Sequence, residues 1–168
     1  ESESRGLGDV YKRQIANTAK GEALDDIDIA IELFRWTIRS LAIRSDPPLL
    51  ATAGSEGVRW FERGEILLSG RGSSAQRSWI FLELLRQAGL KGVMLGTVGR
   101  DGSFRPWIPA VLIGGEAYLF EPTYGIPVPS RVGPGVATVR EAASDVNVLT
   151  QLDGASRRYP VGSDDMKS

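Results

Sequence analysis

The sequence predicts an α+β domain in which a buried helix packs on a small antiparallel sheet. Two helical patterns come first along the chain, and apolar runs of strand character follow them. A Gly-Gly pair joins two of those runs as a hairpin. Helices that precede hairpin-connected strands favour α+β over a parallel sheet with alternating helices.

The composition is that of an ordinary globular domain. The chain has 168 residues, of which 42% are hydrophobic and 24% charged, enough for one sizeable core. Its 20 Lys and Arg nearly balance 21 Asp and Glu, and no basic stripe stands out, so nucleic acid is not an expected partner. No run approaches the roughly 18 apolar residues of a membrane span.

The chain contains neither cysteine nor histidine. Without Cys it has no thiolate nucleophile, disulfide or zinc–thiolate site, and without His it has no imidazole base. Four carboxylates near residues 25–32 lack the spacing of a calcium loop, so we interpret them as solvated charges. We therefore expect no metal and no cofactor.

The first fourteen residues are set apart from the fold. Residues 1–14 (ESESRGLGDVYKRQ) resemble translated adaptor sequence, and we treat them as non-native. Residues 15–168 are interpreted as a single domain. Since the sequence does not begin with Met, we expect a fragment of a longer protein.

The first element is an amphipathic helix over residues 25–43. Carboxylates in its first turn suit the positive end of the helix dipole, and Pro47 follows its end. A loop over residues 46–64 and a brief strand over residues 65–69 are expected next. Apolar side chains recur along the helix at three- and four-residue spacing: Ile27, Ala30, Ile31, Phe34, Ile38 and Leu41.

A second helix is predicted from Ser73 or Ser74 to about Ala88. Ser73 and Gln76 fit the capping-box pattern, and Gly89 is placed to end the helix. Because apolar side chains lie on most sides, we expect this helix at the centre of the core. The tryptophans on apolar stretches, Trp36, Trp79 and Trp107, are expected to pack there too.

Strands and short helices are predicted for the rest of the chain. A strand is expected over Gly92–Val98, and Trp107–Ile113 and Glu116–Phe120 form a hairpin through the turn Gly114–Gly115. A proline-rich loop follows. Short helices are then expected after Thr138, which with Glu141 fits a capping pattern, and over residues 146–152.

Two motifs within Gly70–Pro129 resemble the transglutaminase-like domain, a relative of the papain-type thiol proteases. That family has Gly-x-Cys at the start of its buried helix and Leu-Leu-Arg-x-x-Gly at the end. This chain has Gly72–Ser74 and Leu84–Gly89. The family's second signature is His-Ala-Trp, then a strand, a turn and an aromatic-rich strand ending in Asp-Pro. Here the runs are Arg105–Trp107 and Ala117–Pro122.

The resemblance locates the missing residues. It puts Ser74 where the family has Cys, Arg105 where it has His, and Glu121 where it has Asp. A serine hydroxyl is far less acidic than a thiol and depends more on a base. A permanently protonated guanidinium cannot be that base, so we expect no catalytic residues.

The resemblance therefore implies a degenerate domain. It would act as a binding or scaffolding module in a larger bacterial protein, with a peptide or protein ligand in the former active-site cleft. The predicted ligand-binding residues are Ser74, Arg105, Trp107 and Glu121. The compartment stays open, with the cell envelope or periplasm expected if an export signal precedes this sequence.

A serine-based acyl hydrolase or transferase is one alternative, with Ser74 as nucleophile and Glu121 as its base. The simpler interpretation is that Ser73 and Ser74 cap the helix. For Arg105 and Glu121 the simpler interpretations are an ion pair between adjacent strands, or solvation.

A dinucleotide-binding site is the other alternative. Gly70, Gly72 and Ala75 form a Gly-x-Gly-x-x-Ala pattern between an apolar run and a helix, and Asp101 follows the next strand. That pattern is weak without further strand–helix units, and the sequence shows a hairpin instead.

Overall fold

The computed structural model describes residues 25–43, 71–154 and 159–162. The predicted loop at 46–64 and strand at 65–69 lie outside this part, as do residues 1–14. Within it the helices are α1 (Asp26–Ser40), α2 (Ser74–Gln87), α3 (Val139–Ser144) and α4 (Asn147–Thr150). The strands are β1 (Ala42–Ile43), β2 (Arg71–Gly72), β3 (Lys91–Val98), β4 (Phe104–Ile113), β5 (Glu116–Glu121) and β6 (Ile126–Pro127).

The main sheet is an antiparallel meander of four strands in the order β3-β4-β5-β6. This confirms the α+β class and the antiparallel sheet. The predicted hairpin turn is confirmed as well, because Gly114 and Gly115 both have positive φ, +58° and +83°, and their flanking residues pair. Two positive φ values suit glycine and the right-handed twist of a hairpin.

An extra residue interrupts the pairing of β3 with β4. Met94 lies opposite Pro109 but Gly96 lies opposite Pro106, so β4 advances three residues while β3 advances two. Such a bulge breaks the alternation of side chains. As a result Trp107 and its neighbour Ile108 both pack in the same core cluster.

Helices α1 and α2 pack on one face of the sheet. The rings of Phe34, Phe81 and Phe120 meet there, with centroids 5.0 to 5.1 Å apart in tilted and edge-on arrangements. All three side chains are fully buried. Aromatic contacts of this geometry add to the burial of apolar area, so this trio fixes α2 against β5.

Helices α3 and α4 cover the other face. Leu119 of β5 and Ala110 of β4 pack there against Val148 and Leu149 of α4. Neighbours along β5 point to opposite faces, so Leu119 lies in this second cluster while Phe120 lies in the first. The described part of the sheet is therefore covered on both sides.

Several predicted boundaries need correction. The first helix ends at Ser40, not at residue 43, because Leu41 turns to extended backbone and Ala42–Ile43 pairs in parallel with Arg71–Gly72. The strand predicted to begin at Trp107 begins at Phe104; its first three residues are exposed, so their pattern carries no burial signal.

Other local predictions agree with the structure, and one does not. Ser73 caps α2 with a capping box, and Thr138 caps α3. Trp36 and Trp107 pack partly buried against the core clusters, but Trp79 is 48% exposed. Because apolar residues lie on most sides of α2, the periodicity does not reveal which side faces solvent. Among the described helices, none has the length and apolar character to cross a bilayer.

Candidate functional site

The two serines at the start of α2 have different roles. The Ser73 hydroxyl accepts a hydrogen bond from the Gln76 N–H (3.2 Å), and the Ser73 N–H donates to Gln76 Oε1 (2.9 Å). Ser74 is the first helical residue and is partly exposed. Its carbonyl accepts a hydrogen bond from the Ser78 hydroxyl (2.9 Å). The capping role thus belongs to Ser73 and leaves the Ser74 side chain at the helix entrance.

A buried arginine ties this entrance to the end of β5. Arg77 is 6% exposed, and its Nε donates to the Leu41 carbonyl at 2.6 Å. Its Nη1 donates to the carbonyl of Pro122, the residue after Glu121, at 3.0 Å. Burial lowers the pKa of Arg77. Since residues three apart are neighbours on a helix surface, Ser74 lies at the same end of the molecule as Glu121.

Glu121 is a nearly inaccessible carboxylate with its oxygens engaged. Glu121 is 2% exposed. Oε1 accepts a hydrogen bond from the Thr123 N–H at 2.7 Å. Oε2 accepts a short hydrogen bond from the Tyr159 hydroxyl. A buried carboxylate without partners would be costly, and these two bonds supply partners.

Tyr159 lies between Glu121 and Trp107. Its hydroxyl donates to the carboxylate and accepts a hydrogen bond from the Trp107 indole N–H at 2.8 Å. Its ring centroid is 6.2 Å from those of Trp107 and Tyr124. Burial raises the pKa of Tyr159 above its usual range, and the Glu121 charge raises it further. The phenol therefore stays protonated and remains a donor.

Arg105 stands apart from this cluster. It is exposed in the outer half of β4, opposite Thr97 of β3. The β4–β5 register, extended from its last pair, puts Ile108 opposite Glu121. At about 3.3 Å per residue, Arg105 is roughly 10 Å further along the strand. Within the described residues Arg105 forms no ion pair with Glu121, so the ion-pair interpretation does not hold. The solvation interpretation holds for Arg105, which is exposed, but not for Glu121, which is buried.

The predicted site residues thus fall into two groups. Trp107 and Glu121 come together through Tyr159, and the start of α2 lies beside the end of β5 through Arg77. Arg105 lies apart from both, exposed in the outer half of β4. Sequence reasoning missed Tyr159 and Arg77. A charged residue in an apolar helix is a local signal for Arg77, but no local pattern marks Tyr159.

The described strands do not have the arrangement that a dinucleotide fingerprint requires. That fingerprint needs a helix connecting two parallel strands of one sheet. Here β2, which contains Gly72, and β3 lie in different sheets, and β3 begins an antiparallel meander. Gly70 lies outside the described residues.

Comparisons with known proteins support the fold. No protein-family model matches the chain, and no curated protein matches it. Among solved structures it is similar to a proposed cysteine protease from Cytophaga hutchinsonii, with a TM-score of 0.51 and 16% identity over 80% of this chain and 44% of that one. It is similar also to a TGase, with a TM-score of 0.56 and 8% identity over 73% of this chain and 33% of that one.

A third similar structure is a proposed protease from Parabacteroides distasonis. Its TM-score is 0.51, with 13% identity over 66% of this chain and 22% of that one. Together these likenesses show a transglutaminase-like fold, and identities this low show the fold alone. The chain spans less than half the length of each of the three proteins.

Proposed function

We propose that this chain is a non-catalytic transglutaminase-like domain, and that it acts as a binding or scaffolding module within a larger bacterial protein. Its ligand would be a peptide or protein segment. Of the four predicted ligand-binding residues, Ser74 and Arg105 would contact it, because Trp107 and Glu121 are already hydrogen-bonded to Tyr159. The proposal rests on the fold and on the chemistry of these residues, since fold by itself does not fix function.

The observation that carries the proposal is the bonding of Glu121. A carboxylate that assists thiol or hydroxyl chemistry must orient a base. Glu121 instead bonds to the Tyr159 hydroxyl and the Thr123 N–H. The sequence has no histidine, and the Arg105 guanidinium does not release its proton. Nothing at these positions combines a base with an orienting acid.

The same bonding weakens the serine-hydrolase alternative. The helix entrance offers Ser74 a favourable dipole, but a hydroxyl also needs a base within hydrogen-bond reach. The only carboxylate proposed for that purpose, Glu121, already accepts two hydrogen bonds. A fluorophosphonate probe tests this point directly. We expect no labelling of the folded chain, whereas labelling that disappears in Ser74→Ala would establish the hydrolase.

The exposed Arg105 is the group best suited to recognise a ligand. A guanidinium binds a carboxylate through two parallel hydrogen bonds, and Arg105 presents one to solvent without an ion pair among the described residues. An acidic side chain or a C-terminal carboxylate of a peptide would fit this group. The Ser74 hydroxyl can add a further hydrogen bond at the helix entrance.

A peptide-binding measurement tests the role of Arg105. Acidic and neutral peptides of equal length would be titrated against the full chain by fluorescence anisotropy. Loss of a charge-assisted bidentate contact is worth about 1.5–3 kcal/mol, or about tenfold to a hundredfold in Kd. The matched control is Arg100→Ala, which removes an exposed arginine from the turn between β3 and β4. Equal affinities of Arg105→Ala and the unmodified chain for an acidic peptide would contradict the proposed role.

A further inference from the structure

The Tyr159 hydroxyl lies between a hydrogen-bond donor, the Trp107 indole N–H, and a hydrogen-bond acceptor, the Glu121 carboxylate. The Trp107 indole N–H can only donate a hydrogen bond, and Oε2 of Glu121 accepts one. A hydroxyl between them satisfies both, because it accepts from the first and donates to the second. A carboxylate ligand would be repelled by Glu121, and a methyl group would leave the Trp107 indole N–H and Oε2 of Glu121 without a partner.

The walls of this site fit an aromatic ring. The indole of Trp107 meets the Tyr159 ring edge-on, at an interplanar angle of 60°. The Tyr124 ring is tilted by 43° relative to the Tyr159 ring, with centroids 6.2 Å apart. Glu121 at the base is 2% exposed, so its bond to the hydroxyl is shielded from water. A charged acceptor in such a shielded place makes a stronger hydrogen bond than a neutral one.

We propose that Trp107, Tyr124 and Glu121 form a binding site for an aromatic hydroxyl, and that the chain's own Tyr159 occupies it. External ligands are then kept from Trp107 and Glu121, whereas Ser74 at the start of α2 and Arg105 in the outer half of β4 stay accessible to solvent. A ligand role for Ser74 and Arg105 rests on the proposed function; the occupied hydroxyl site does not.

Tyr159 is also the residue in contact with the position that the resemblance assigns to the catalytic acid. The tyrosine thus accounts for a glutamate that stays buried and hydrogen-bonded in a chain without histidine.

Emptying the site tests the proposal. Tyr159→Ala in the full chain removes the occupant, and p-cresol, which reproduces the tyrosine side chain, is added back. Toluene is the matched control, since it has the same ring and methyl group without the hydroxyl. We expect p-cresol to raise the Tm of Tyr159→Ala and to bind at least about tenfold more tightly than toluene. The unmodified chain should bind neither.

The NMR resonance of the Trp107 indole N–H gives a second readout. A purely structural role of Tyr159 would not make this resonance respond to p-cresol. The resonance should shift in Tyr159→Ala and return toward its original position with p-cresol but not with toluene. Equal binding of p-cresol and toluene, or p-cresol binding that leaves the Trp107 resonance unmoved, would overturn the proposal.

A second variant covers the case in which Tyr159→Ala does not fold. Tyr159→Phe keeps the ring and deletes the hydroxyl, so the indole N–H of Trp107 loses its acceptor. Its hydrogen exchange should become at least about tenfold faster, and unchanged exchange would contradict the site. None of these measurements uses a peptide, so a failure of the Arg105 experiment and a failure of the hydroxyl site are told apart.

Discussion

Deleting a single oxygen, by Tyr159→Phe, should destabilise the folded chain measurably. The ring keeps its place beside Trp107, so no large cavity forms. The change removes a hydrogen bond to a buried carboxylate, worth about 1.5–3 kcal/mol, and one from an indole, worth about 1 kcal/mol. Because Tyr159 is itself only partly buried, we expect a loss of about 2–3 kcal/mol. For a domain of this size that corresponds to a fall in Tm of about 4–12 °C.

The loss should depend on pH in a defined direction. The pKa of Tyr159 is raised in the folded state, so below about pH 10 the phenol is protonated in both states and contributes its full stabilisation. Above about pH 10 the unfolded tyrosine releases its proton while the folded one keeps it. The free energy of unfolding of the unmodified chain then falls by about 1.4 kcal/mol per pH unit relative to that of Tyr159→Phe. The stability gap, which is the difference between these two free energies, therefore narrows.

Urea unfolding of both chains at pH 8, 9, 10 and 11 measures the gap and its change. Tyr124→Phe is the matched control, since Tyr124 is a neighbouring tyrosine that is 49% exposed, and it should alter stability by less than about 0.5 kcal/mol. A gap below about 0.5 kcal/mol at pH 8, or one that stays constant to pH 11, would refute the bond between Tyr159 and Glu121.

Two further predictions concern helix α2. Arg77→Ala leaves two buried carbonyl acceptors without their donor, so the free energy of unfolding in urea should fall by about 2–4 kcal/mol. The control is Arg140→Ala, which breaks an exposed ion pair and should cost less than about 1 kcal/mol. Similar losses in the two variants would show that Arg77 does not join α2 to its neighbours. Ser73→Ala removes the N-cap and should lower the free energy of unfolding by about 1 kcal/mol in the same assay, while Ser74→Ala should be nearly neutral. A larger loss in Ser74→Ala than in Ser73→Ala would reverse the assignment of the cap.

The local elements were predictable because their causes lie within a few residues. The capping box of α2 depends on Ser73 and Gln76, three residues apart, and the hairpin turn depends on adjacent glycines that tolerate positive φ. The α+β class follows from the order of such elements. Periodicity gives wrong predictions where strand pairing or burial decides the structure. It places the end of α1 too late, because Ala42–Ile43 pairs with β2, and it predicts a buried Trp79 that is in fact exposed.

The short strand β6 shows the same limit. The sequence predicts a loop over Gly125–Pro129, and most of its residues suit one. Yet Ile126–Pro127 pairs with the end of β5, because the preceding turn folds back on α1. Gly125 has φ +71° there, and a Cβ would come within 2.8 Å of Ile38. That close approach depends on a residue far away in the sequence.

The sequence by itself determined which chemical groups this chain lacks. It contains no thiol and no imidazole, and the spacing of its motifs located Ser74, Arg105 and Glu121. Only the tertiary structure decided where the side chains at these positions lie and what they bond to. Glu121 bonds to Tyr159, 38 residues later in the chain, and Arg105 stays in solvent. A buried carboxylate must find a donor somewhere, but which donor reaches it depends on how the two faces of the sheet are covered, and no local pattern encodes that.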